Sequence, residues 1–117
     1  MSALIYHVAT EHEWEQIQKD GLCYYSTRGR TLAQEGFIHC SYAEQVPGVL
    51  SRYYSDVTEP LLLLAINEDL LSEPAVPENT SGGTELFPHL YQAFPATAVV
   101  MAIPVERTAD GGFLLPE

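Results

Sequence analysis

The 117-residue chain predicts an α+β fold, in the order β-α-β-β-α-β, an irregular stretch and a last strand. Two apolar runs each end directly on a capping-box pattern, Thr10 with Glu13 and Ser41 with Glu44, which places two helices. A third observation sets the class. Helical spacing is confined to the first half, strand-like apolar runs dominate the second, and the connections are too uneven for a doubly wound parallel sheet.

Leu4 to Ala9 is an apolar run with β-branched and aromatic residues, which reads as a buried strand. Thr10 is the expected N-cap of a helix through Trp14, Ile17 and Gln18, with Lys19 in the last turn and Gly21 as its stop. Leu22 to Tyr25 reads as a short strand and Ser26 to Thr31 as a loop. Gly36 to Cys40 is the next strand. Ser41 is expected to cap a helix carrying Val46, Val49, Leu50 and Tyr53, with Pro47 in its first turns. Leu61 to Ile66 is a continuous apolar strand, followed by a turn or short helix over 67–71. Pro74 to Gly83 is rich in turn formers and reads as a surface loop or irregular edge. The Phe87-Pro88-His89-Leu90-Tyr91 string is expected to interrupt regular structure, and Ala98 to Val105 is the final strand. A single domain over 1–117 is expected, with its core over about 3–106 and a loosely held tail over 107–117.

Composition narrows the partners. Hydrophobic residues make up 46% and charged residues 18%, an ordinary globular balance. Five Lys and Arg against 16 Asp and Glu give a net charge of −11, which repels polyphosphate and anionic lipid, so nucleic acid and membrane are poor partners. Cys23 and Cys40 cannot build a disulfide framework and form no CxxC pair; with no leader-like segment and no long apolar run, a reduced cytoplasmic protein is expected.

The chemistry-bearing residues are few. His12 lies among Glu11, Glu13 and Glu15 and reads as solvated, whereas His7, His39 and His89 lie among apolar neighbours, where an imidazole must be hydrogen-bonded. His39 and Ser41, two apart, point to one side of a strand end. Arg28 and Arg30 flank a glycine and are the candidate clamp for a diphosphate; no Lys or Arg occurs between Tyr53 and Glu106. Glu78 and Glu85 bracket a Gly-rich stretch before His89, and either could orient a ribose hydroxyl or act as a general base. A metal site on the three histidines, as in a metal-dependent hydrolase, finds no support in the spacing: no HxH, HxxxH or HxxE pair occurs among them. A Cys40–His39 nucleophile pair is disfavoured, since adjacent strand residues face opposite sides.

Ile5-Tyr6-His7-Val8-Ala9, then Glu35-Gly36-Phe37-Ile38-His39-Cys40-Ser41 with Gln45, then Glu78 before Phe87-Pro88-His89-Leu90-Tyr91, resembles the bacterial family called domain of unknown function 952. That family in turn looks like a compact member of the ADP-ribosyltransferase-like fold, which implies two small, mainly antiparallel sheets forming a cleft, with two helices in the N-terminal half. The likeness implies that His7, with Thr10 in the same string, holds the nicotinamide-side ribose of NAD, and that His39 lies beside the nicotinamide. It implies a nucleotide-binding set of His7, Thr10, Arg28, Arg30, Ser41, Gln45, His89 and Tyr91, and a late glutamate, Glu78 before Glu85, that activates the acceptor. The stretch from Phe37 to Ile66 is similar to one in the tRNA 2′-phosphotransferases, which use NAD. Those enzymes surround their substrate with arginines, and here only Arg28 and Arg30 offer a match. The expected ligand is a small nucleotide of the NAD or ADP-ribose type, with no metal. A non-catalytic module with the same pocket is the alternative.

Overall fold

The computed structural model describes residues 4–27, 30–79, 83–108 and 113–114. The α+β class stands, with four small antiparallel sheets among the described residues in place of the two expected. The largest joins β1 (Leu4–Thr10), β6 (Leu61–Asn67), β10 (Val99–Arg107) and β11 (Phe113–Leu114) in the order β1-β6-β10-β11. Its central strand β6 pairs with β1 from Leu4↔Asn67 to Thr10↔Leu61. The three-stranded sheet has the order β5-β8-β7, from β5 (Ile38–His39), β7 (Val76–Glu78) and β8 (Phe87–Leu90). Two ribbons complete the set: β2 (Leu22–Cys23) with β9 (Phe94–Pro95), and β3 (Tyr25–Thr27) with β4 (Arg30–Thr31).

Strand periodicity divides the core in two. Ile5, Ala9, Leu64 and Ile66 pack on one face of the large sheet with Ile17, Ile38, Cys40, Leu90 and Phe94. Val8, Leu61 and Leu63 pack on the other with Val46, Leu50, Tyr54 and Val57. With both faces covered, β1 and β6 read as near-continuous apolar runs, which made them legible.

The first helix, α1 (Glu11–Asp20), forms as its signals predict. Thr10 Oγ1 accepts from the Glu13 N–H at 3.1 Å, and the Thr10 N–H donates to Glu13 Oε1 at 2.9 Å. Gly21 ends it at φ 78°, a left-handed conformation that glycine adopts without a Cβ clash. A short helix not anticipated, α2 (Leu32–Glu35), has its own capping box from Thr31 and Gln34. The third α-helix among the described residues is α3 (Val46–Tyr53), with Pro47 in its first turn as expected.

Two further expectations are corrected. Ser41 does not cap a helix: its backbone exchanges hydrogen bonds with Tyr6, and the turn over Ala43–Gln45 is closed by the Tyr42 N–H donating to Gln45 Oε1 at 2.9 Å. Phe87–Leu90 is no interruption but the middle strand of its sheet. Pro88 is accommodated because its carbonyl accepts from the Cys40 N–H at 3.1 Å on one side, while on the other it faces Pro77, where the antiparallel alternation requires no N–H. Beyond Arg107, Phe113 and Leu114 pair with Arg107 and Glu106.

Because Thr10 is engaged as a cap, Thr10→Ala is expected to lower the unfolding free energy by about 1 kcal/mol in urea. The cleft described below should keep its amide shifts in that variant; altered shifts at Ser41 or His89 would return Thr10 to the site.

Candidate functional site

The two larger sheets meet edge to edge at β1 and β5. Tyr6 N–H donates to Ser41 O at 2.8 Å and Ser41 N–H to Tyr6 O at 2.7 Å, a single antiparallel bridge with no ladder continuing from it. Beyond the bridge the contact is made by a side chain. The His7 Nδ1–H donates to the His39 carbonyl at 2.8 Å, which fixes the tautomer because a carbonyl can only accept. In front of this junction lies a cleft of about 290 Å³, near the lower end of the ~300–1,000 Å³ usual for small-molecule sites. Tyr6 and Val8 of β1, Val49 and Tyr53 of α3, and His39 and His89 of the small sheet are among its walls.

The two histidines are brought together by ladder geometry. Since Cys40 and Pro88 form the hydrogen-bonded pair, the neighbouring His39↔His89 pair is the non-bonded kind, in which opposed side chains approach most closely. Their rings lie 5.4 Å apart at 80°. Phe37 stacks on His89 at 4.2 Å and 25°, and meets His39 edge-on at 4.7 Å.

Each imidazole has a carboxylate. The His89 Nδ1–H lies 3.0 Å from Glu78 Oε1, and the Tyr91 hydroxyl donates to the same oxygen. Residues 87, 89 and 91 alternate onto one face with Glu78, which pairs opposite Phe87. The hydrogen bonds from Tyr91 and His89 hold the Glu78 carboxyl below its usual range, and the same contact raises the Tyr91 phenol. With the Nδ1–H given to Glu78, Nε2 is the free ring nitrogen of His89, an acceptor in the neutral imidazole and a donor in the charged one. Glu35 Oε1 lies 3.6 Å from His39 Nε2, and Arg30 pairs with Glu35 Oε2 at 2.7 Å. Burial, reinforced by the neighbouring His89, lowers the His39 pKa despite the contact with Glu35. The arrangement can accept a proton or a hydroxyl hydrogen at two adjacent ring nitrogens, with a carboxylate behind each.

Of the residues expected from the sequence, His39, Ser41 and His89 line the cleft, and Glu78 and Tyr91 join it through His89. His7 does not line it. Its side chain lies on the opposite face of β1, 2% exposed, 5.8 Å from the Phe94 ring, with Nε2 buried and unpartnered among the described residues. Thr10 caps α1. Gln45 is a buried clamp whose amide donates to Leu86 O at 2.8 Å and Glu85 Oε2 at 3.2 Å, which accounts for Glu85 as well. Arg30 is committed to Glu35, and Arg28 lies outside the described residues. Burial pushes the Cys23 thiol up to about 12 and raises that of Cys40, so neither is a ready nucleophile. No three metal-ligating side chains converge among the described residues.

Sequence reasoning missed Glu35, Tyr6, Tyr53, Tyr54 and Phe87 as cleft residues. Glu35 stood four positions before His39, and Phe87 two before His89, so spacing alone offered those two. The tyrosines gave no local signal.

Burial lowers the His7 pKa to about 4, with the His39 carbonyl hydrogen bond opposing that shift. The folded protein therefore resists protonation that the unfolded chain accepts near 6.5. Stability should be full above about pH 6.5 and fall by roughly 3 kcal/mol toward pH 4 through this group. His7→Asn keeps a donor near the Nδ1 position without a titratable ring. Urea titrations across that range should show a shallower pH dependence in the variant, and equal slopes would refute the buried neutral assignment.

No curated protein sequence matches the chain. The crystal structure of protein CC0527 from Caulobacter crescentus is similar over 95% of this chain and 93% of that one, with 29% identity and a TM-score of 0.80. A crystal structure of its double mutant gives 28% identity and a TM-score of 0.80, again over 95% and 93%. The solution NMR structure of the same protein gives 27% and 0.72, over 93% and 90%. The family described as protein of unknown function (DUF952) matches residues 8–102, and with most of its length matched the chain belongs to that family.

Proposed function

We propose that the cleft binds the nicotinamide-ribose end of an NAD- or ADP-ribose-type nucleotide, on a small variant of the ADP-ribosyltransferase-like architecture. The observation that carries this reading is the His39–His89 pair backed by Glu78 at the wall of a cleft between two antiparallel sheets. A ribose hydroxyl finds acceptors in the imidazole nitrogens and in Ser41. Departure of nicotinamide leaves an oxocarbenium-like centre, which the nearby Glu78 and Glu35 carboxylates stabilise electrostatically. His39, Glu78 and His89 carry this chemistry. His7 contributes from behind by holding the His39 backbone. The cleft is too small to enclose a dinucleotide, so the diphosphate lies over the rim, where Arg30, paired with the lining Glu35, is the cation offered to it.

One observation favours a second reading, a binding module without turnover. The Glu78 oxygen nearest the histidines is already shared by His89 and Tyr91, and Arg30 is paired, so activation of an acceptor requires these contacts to be exchanged.

The test is an amide-resolved NMR titration with NAD and with ADP-ribose, followed by an assay for released nicotinamide. Shifts are expected at His39 to Ser41 and Phe87 to Tyr91, and His89→Ala is expected to weaken binding at least ~10-fold, the loss of about 1.4 kcal/mol of contact. Binding without nicotinamide release selects the module. No shift at millimolar ligand overturns both readings.

A further inference from the structure

We propose that this cleft selects a cation, an organic ligand whose positive charge sits on a ring or quaternary nitrogen, of the N-alkylpyridinium class. The inference deepens the nucleotide reading and rests on it in one respect: the nicotinamide of an oxidised dinucleotide carries this charge and that of a reduced one does not.

Four features of the cleft point the same way. Six of its twelve lining residues carry π rings: Tyr6, Tyr53, Tyr54, Phe87, His39 and His89. Four of these, Tyr6, Tyr53, Tyr54 and Phe87, are of the kind whose faces attract organic cations, more strongly as the site is drier. The lining includes one carboxylate, Glu35, and no Lys or Arg. A second carboxylate, Glu78, stands directly behind His89. Glu35 has Arg30 as its partner, and Glu78 has His89 and Tyr91. Burial keeps the His39 ring from charging readily, so it presents a lone pair rather than a competing cation. The net charge of −11 adds a long-range field of the same sign. An anionic group placed inside would meet the Glu35 carboxylate, while the Arg30 that pairs with it stands outside the lining.

The probe is the N-methylnicotinamide cation against neutral nicotinamide, which differs by one methyl group and the charge. Calorimetry or amide shifts on the full chain should give the cation at least ~10-fold tighter binding. Glu35→Gln and Tyr53→Leu, both at partly exposed positions, should each narrow that ratio while leaving the amide spectrum folded. In parallel, NAD should bind more tightly than NADH. Equal or tighter binding of nicotinamide, no binding of N-methylnicotinamide, or, where NAD binds, equal binding of NADH overturns the inference. The two readings separate cleanly. If N-methylnicotinamide binds while NAD and ADP-ribose do not, cation selection stands and the nucleotide reading falls. If ADP-ribose and NADH bind as well as NAD, the nucleotide reading stands and cation selection falls.

Discussion

The site depends on how one strand edge is closed. β1 is an edge strand of the large sheet, and an open edge carries unpaired backbone groups that must find partners. Here the edge is met by β5 and the residues after it, but only one residue pair, Tyr6 and Ser41, bonds backbone to backbone. At the next contact the His7 imidazole reaches the His39 carbonyl, doing with a side chain what a ladder would do with an amide. The two strands are thereby joined without a continuing ladder, and the cleft lies in front of that junction. Desolvation makes this bond demanding, since the buried ring must stay neutral to remain where it is.

From that junction the electrostatics follow. The backbone groups of His39 face β1, so its side-chain pairing with His89 is the close, non-hydrogen-bonded kind. Two imidazoles in contact disfavour being charged together, and each has a glutamate near it. The small sheet thus concentrates titratable groups at one wall, while α3 and β1 supply an aromatic and aliphatic wall opposite. Gln45 and Pro88, which carry no charge, hold the geometry. The first ties the Glu85–Leu86 segment beside β8, and the second lets a central strand run through a residue with no N–H.

The residues of the small sheet illustrate how far local pattern reaches. His39 and His89 stood out as histidines among apolar neighbours, and the two-residue spacing of His39 and Ser41 put both on one side of a strand end, as they are in the cleft wall. The 87–91 string, expected to interrupt regular structure, gave no such alternation, and that His39 opposes His89 required knowing that strands about 50 residues apart pair. His7 shows the converse. Its apolar surroundings marked it as buried, which it is, but the face it occupies follows from which side of β1 the cleft opens, and that is decided by β5 and α3.

What the sequence determined by itself was local: α1 with its Thr10–Glu13 box and Gly21 stop, the buried strands β1 and β6, and the face-sharing of residues two apart. These depend on hydrogen bonds and periodicities spanning a few residues, so they can be read where they stand. Only the tertiary structure decided that Phe87–Leu90 is a strand, that Ser41 bridges β1 instead of capping a helix, and that Glu35 and three tyrosines share a cleft with two histidines. A backbone group satisfied by a distant partner leaves no mark on its neighbours in sequence. The choice between capping and bridging for Ser41 is made by the free edge of a strand 35 residues earlier, at Tyr6.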